Sequence, residues 1–150
     1  MTRTIAITLK IPDNAAYTAL TALQRLGFDV ARVERSEVWV VEDSGEASDF
    51  LERISHNETI FNLNKHRITD LGIDQPRPGE VWVSENGSHD ETREHLGGKT
   101  IPGIKSARRY VGWRMVTPAG APVEPDVIRS AAERLLCNPA VETARFEERS

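Results

Sequence analysis

The chain has 150 residues, 39% hydrophobic and 28% charged, with a formal net charge of −4; that balance supports a buried core and excludes a disordered polyelectrolyte. The acidic excess lies in residues 1–75, while residues 76–150 balance their charges, so neither half has the positive field that phosphate-backbone binding needs, and nucleic acid is not an expected partner. No apolar run nears the roughly 20 residues of a membrane span, and the single cysteine, Cys137, leaves no disulfide framework and no cysteine metal site.

Thr4–Lys10 alternates apolar and polar residues and predicts a strand. A strand-like start is not a signal peptide, which sets the expected location as cytoplasmic. Pro12-Asp13-Asn14 offers a helix N-cap. Ala16, Ala19, Leu20, Leu23 and Leu26 then recur at spacings of three and four, an amphipathic helix that Gly27 can end. Val30–Glu34 and Glu37–Glu42 predict two strands joined as a hairpin at Arg35-Ser36. Ser44-Gly45 opens a second helix with Ala47, Phe50, Leu51 and Ile54 on its apolar face, and Thr59–Thr69 holds a further strand. Asp70–Pro78 reads as a linker.

The order then recurs. Glu80–Ser84 is a strand, and Asp90–Leu96 is a short helix stopped by Gly97-Gly98. Lys105–Val111 and Trp113–Thr117 predict a hairpin around Gly112. A Pro-rich connector, Pro118–Pro125, leads into a helix with Val127, Ile128, Ala131, Leu135 and Leu136 on its buried side. Asn138-Pro139 closes that helix, and Ala140–Phe146 is the last strand.

Displacing the sequence by 76 positions lays Thr4–Glu42 over Glu80–Pro118 without a gap, with Gly27 on Gly103, Ala31 on Ala107, Arg32 on Arg108 and Val40 on Val116. A second block, Leu51–Asn57, matches Ala132–Asn138 after a five-residue offset. A period of this length is a small domain duplicated rather than a solenoid unit. The expected fold is α+β: two tandem ferredoxin-like βαββαβ repeats with antiparallel sheets, 1–75 and 76–150, forming an internal pseudo-dimer. Trp39, Trp82 and Trp113 all fall on predicted strands, and an exposed row of them on the uncovered sheet face would mark an interaction surface.

Two phrases resemble a known family. Ala19-Leu20-Thr21-Ala22-Leu23-Gln24-Arg25-Leu26-Gly27-Phe28, followed by Val30-Ala31-Arg32-Val33-Glu34-Arg35, is similar to the opening of PurS, the small subunit of phosphoribosylformylglycinamidine synthase. Leu135-Leu136-Cys137-Asn138-Pro139-Ala140-Val141-Glu142 resembles the closing phrase of that family. The resemblance covers each repeat loosely and departs in two places. The family's first loop is Gly-Val-x-Asp-Pro-x-Gly, where this chain has Ile11-Pro12-Asp13-Asn14, and the family member is usually a single repeat that dimerises. A fused pair does occur at the N-terminus of the single-chain synthases in this family. The resemblance implies a subunit of an ATP-dependent glutamine amidotransferase ligase of purine biosynthesis, without catalysis or cofactor of its own. It would bridge the synthetase subunit PurL and the glutaminase PurQ. Further oligomerisation of the pseudo-dimer stays open.

Candidate chemistry is sparse. Lys105, Arg108, Arg109 and Arg114 form one basic cluster on the second predicted hairpin; it suits docking of an acidic partner surface or an anion, or simply a charged, aggregation-resistant edge. His89 and His95 are six apart with no third ligand, so Asp90 and Glu91 read as first-turn acids facing the helix dipole rather than a metal site. Gly98-Lys99-Thr100 ends like a phosphate loop, but Arg93 stands where that loop needs glycine. Cys137 falls on a buried helical stripe and reads as core. Two other functional classes stay open. One is an ACT-like regulatory module binding small molecules, for which Asn86-Gly87-Ser88 would supply the turn. The other is a small enzyme using His66, His95, Tyr17 or Tyr110 as acid or base. Fold order alone does not choose among them.

Overall fold

The computed structural model describes residues 2–43, 64–86 and 104–147. The helices expected from Ser44 and over Asp90–Leu96, with His89, His95 and the Gly97–Thr100 turn, lie outside the described residues. The described elements are β1 (Thr2–Leu9), α1 (Asn14–Arg25), β2 (Arg32–Asp43), β3 (His66–Asp70), β4 (Glu80–Glu85), β5 (Ile104–Val116), α2 (Pro125–Ala131) running into a π-helical turn (Ala132–Leu136), and β6 (Glu142–Phe146). The fold is α+β, with one six-stranded antiparallel sheet in the order β3-β1-β2-β5-β4-β6.

Neither expected hairpin forms. Val30–Glu34 and Glu37–Glu42 were to turn at Arg35-Ser36; instead β2 runs unbroken for 12 residues, and β5 runs for 13 through Gly112. Tight hairpin turns need residues at positive φ, and among the described residues only Gly27, Gly72, Gly79 and Gly120 have it. Gly112 stays extended and lies opposite Trp82 in the β4–β5 ladder.

Packing divides the chain into two compact units, and each draws residues from both sides of residue 75. The first contains β1, β3, residues 37–43 of β2 and residues 104–109 of β5. Its centre is β1, paired with β2 on one side (Ile5 opposite Trp39) and with β3 on the other (Ile7 opposite Ile68). Thr4, Ile5, Ala6 and Ile7 are all buried, so both faces of this strand are covered, together with Val38, Trp39, Val41 and Ala107. Arg3 ties β1 to Asp70 of β3 across 3.1 Å.

The second unit contains α1, residues 32–36 of β2, β4, residues 110–116 of β5, α2, the π turn and β6. α1 starts where expected: the Asp13 carboxylate accepts from the N–H groups of Ala15 and Ala16 at 2.9 and 3.2 Å. It ends in a Schellman arrangement, with Phe28 N–H donating to Leu23 O and Gly27 N–H to Gln24 O, while Gly27 takes φ +93°. Phe28 then packs on the same cluster as Leu23. The core of this unit sets Ala16, Ala19 and Leu23 of α1 beside Val81 and Val83 of β4, Met115 of β5 and Ile128 of α2. The first helix of the chain thus packs on strands and a helix from its C-terminal portion. The π turn closes with Cys137 N–H donating to Ala132 O at 2.9 Å.

Candidate functional site

The four basic residues expected to meet a partner all lie on β5. Arg108 and Arg109 are consecutive, so their side chains leave opposite faces of the strand. In the first unit Arg108 is exposed, and Arg109 Nε stands 3.3 Å from Glu37 Oε1. The side chain of Lys105 lies outside the described residues. In the second unit Arg114 donates to Glu34 Oε2 at 3.2 Å, and Arg32 approaches the other oxygen of the same carboxylate at 3.8 Å. The Arg114 Nε is buried without a hydrogen-bond partner. Two of the four are therefore engaged by β2 carboxylates within the chain.

Beside Arg114 lies a feature that the motif reading missed. Glu80, its cross-strand neighbour, is only 1% exposed. Burial of a carboxylate is tolerated only with full pairing, and Glu80 has it. Its Oε1 accepts from the Arg77 backbone N–H at 3.0 Å and from the Trp82 indole N–H at 3.0 Å, and its Oε2 accepts from the Arg77 guanidinium at 2.8 Å. A Pro78-Gly79 turn holds Arg77 in place: Glu80 N–H donates to Arg77 O, and Gly79 has φ +73°, as a type II turn requires. The signal available in the sequence was the tetrapeptide Glu-Val-Trp-Val, which occurs at 37–40 and again at 80–83. In the first unit Trp39 makes the same bond to Glu37, at 2.9 Å. Trp39 and Trp82 are buried, not an exposed row, and Trp113 is half-buried. The Trp82 ring is covered by Tyr110 at 5.3 Å and by the Arg145 guanidinium at 5.4 Å.

Tyr17 and Tyr110, named as acid–base candidates, are not brought together. Tyr17 lies on the outer side of α1, whose inner side packs on Val81 and Val83, whereas Tyr110 stacks on Trp82 across the sheet. His66 belongs to the first unit, half-buried on β3. Among the described residues no group of three or more His, Cys, Asp or Glu side chains could hold a metal, and no helix is long and apolar enough to cross a membrane. Burial pushes the Cys137 thiol pKa up, helped by the Glu142 carboxylate, which disfavours the nucleophilic thiolate.

Two concavities open on the second unit. One, of about 660 Å³, is lined by Gly79, Glu80, Pro125, Ile128, Arg129, Phe146 and Glu147, with the Arg129 guanidinium 4.4 Å over the Phe146 ring. The other, of about 510 Å³, runs between α1 and the π turn. What these surfaces offer is contact chemistry: apolar groups set beside guanidinium groups. No protein-family model and no curated protein sequence matches the chain.

Proposed function

We propose that the chain is a tandem, PurS-like assembly subunit of a phosphoribosylformylglycinamidine synthase complex, working through protein contacts. It would hold the ATP-dependent synthetase PurL and the glutaminase PurQ together rather than catalyse a step itself. The observation that carries this reading is the strand order. Read inwards from its two edges, the sheet runs β3-β1-β2 and β6-β4-β5: third, first and second strand of each half, in the same sequence. A duplicated βαββαβ ancestor whose central hairpins opened into long paired strands would give that arrangement. The residues that carry the resemblance end two elements: Leu26-Gly27-Phe28 forms the α1 terminator, and Asn138-Pro139 lies in the turn before β6. The ferredoxin-like pedigree and the pseudo-dimer belong to this proposal.

The test is reconstitution. Tagged protein mixed with the synthetase and glutaminase of its own source, with glutamine and nucleotide present, is expected to elute as one complex and to be required for glutamine-dependent turnover. Separate elution of all three, with full activity in its absence, would remove the proposal.

A further inference from the structure

The groove between α1 and the π turn has a composition that the fold itself does not use. Tyr17 is 71% exposed, Leu26 39% and Leu135 41%, and all three line it. On α1 the stripe Tyr17, Thr21, Arg25 follows i, i+4, i+8, one line along the helix, while the core is served by Ala16, Ala19 and Leu23. The Thr21 hydroxyl is satisfied within the helix, donating to Tyr17 O at 3.1 Å. The rim of the groove is cationic. Arg25 makes no ion pair or hydrogen bond among the described residues, and the Arg134 guanidinium lies 5.5 Å from the centre of the Phe28 ring. α1 contains no Asp or Glu, and Glu133 of the π turn does not line the groove. An apolar trough with a positive rim thus stands on a chain of net charge −4.

We infer that this groove docks an amphipathic helical segment of a partner protein. Apolar residues of that segment at i and i+4 would sit against Tyr17, Leu26 and Leu135, and its carboxylates would meet Arg25 and Arg134. Charge complementarity selects this occupant. A second copy docking groove against groove would set the same two arginines against themselves, and like charges facing across an interface are costly. The inference does not depend on which assembly the chain joins.

The probe is a displayed library of random peptides selected against the full-length chain, with the strongest binder then followed by fluorescence anisotropy. Enriched peptides are expected to pair apolar residues at i and i+4 with flanking Asp or Glu. The double reversal Arg25→Glu/Arg134→Glu is expected to weaken binding by about tenfold or more, and a peptide with its acids changed to lysine is expected to recover affinity for that variant. Both positions are exposed, and an unchanged thermal melt verifies the fold. Tyr17→Ser, which leaves the charges in place, is expected to weaken binding as well. Three outcomes overturn the inference: no enrichment, binders that hold the reversed variant equally well, or self-association in sedimentation that the reversal abolishes.

Discussion

The Trp82 indole N–H and the Glu80 carboxylate, two residues apart on β4 and both buried, meet at 3.0 Å. The guanidinium that completes the arrangement, Arg77, comes from the turn before the strand and keeps 28% of its side chain exposed. Removing the carboxylate leaves the Trp82 indole and the Arg77 backbone N–H without their acceptor and unpairs the Arg77 guanidinium. Glu80→Ala is therefore expected to lower unfolding free energy by about 2–4 kcal/mol. Glu80→Gln, which keeps an acceptor for the indole but loses the charge, is expected to cost roughly 1–2 kcal/mol. Urea denaturation followed by Trp fluorescence measures both. Equal losses would assign the site to shape rather than to pairing.

Gly79 and Gly27 both have positive φ, yet they differ in surroundings. A Cβ on Gly27 meets nothing within 4 Å, whereas one on Gly79 would stand 2.9 Å from Met115 O, 3.0 Å from Pro122 Cβ and 3.0 Å from Val123 N. Two of those neighbours are backbone atoms of the Met115–Val123 hydrogen bond. Gly27→Ala is expected to cost only the left-handed backbone strain, roughly 1–2 kcal/mol. Gly79→Ala adds overpacking and is expected to cost about 1–3 kcal/mol more. Similar denaturation midpoints for the two variants would refute the steric account.

These contrasts show what was legible in the sequence. α1 could be placed between Asp13 and Gly27 because capping and termination are local chemistry, decided within a turn of the chain. The strands β1, β4 and β6 were legible through alternation and turn punctuation. The hairpins were not: Arg35-Ser36 and Gly112 read as breaks, but an extended strand accepts both residues when long partners lie beside it. Where α1 packs was not legible either, since an amphipathic stripe states that it will be buried and not against what. Arg109 and Arg114 read as free cations for the same reason, because their partners Glu37 and Glu34 are more than 70 residues away in sequence. Glu80 looked like the polar start of a strand; only the doubled Glu-Val-Trp-Val phrase hinted at a bond between its first and third residues.

Asp13 serves two purposes that substitution can separate. Its Oδ1 caps α1, and its Oδ2 lies 3.4 Å from the Arg35 guanidinium. Asp13→Ala removes both and is expected to cost about 1–2 kcal/mol. Asp13→Asn keeps a side-chain oxygen for the cap, so its loss is expected to stay near that of a partly exposed ion pair, about 0.2–1 kcal/mol. Because screening weakens such a pair, the gap between Asp13→Asn and the parent chain should narrow in high salt while the Asp13→Ala deficit mostly persists. Denaturation midpoints at low and high ionic strength read the difference, and a deficit of Asp13→Ala that salt erases would assign the role to the ion pair.

Cys137 follows the π turn at half-burial, and desolvation, followed by the nearby Glu142 carboxylate, pushes its thiol pKa up. The thiolate is the reactive species, so modification by a disulfide reagent at neutral pH is expected to be slower in the folded chain than in the urea-unfolded one. The folded rate–pH profile should have its midpoint on the alkaline side of the unfolded profile. The sign for stability follows from the same shift. The folded state holds the thiol proton more tightly, so this contribution is intact below the unfolded thiol's titration range and declines as pH rises through the folded one. Glu142→Gln separates the two causes. Glu142 Oε1 accepts the Asn138 backbone N–H at 2.8 Å, a bond that the glutamine oxygen can keep, so the loop before β6 retains its anchor while the charge is lost. The profile of that variant is expected to move part of the way towards the unfolded one, leaving the share due to burial. Coincident folded and unfolded profiles in the parent chain would show that burial at this position leaves the thiol's proton affinity unchanged.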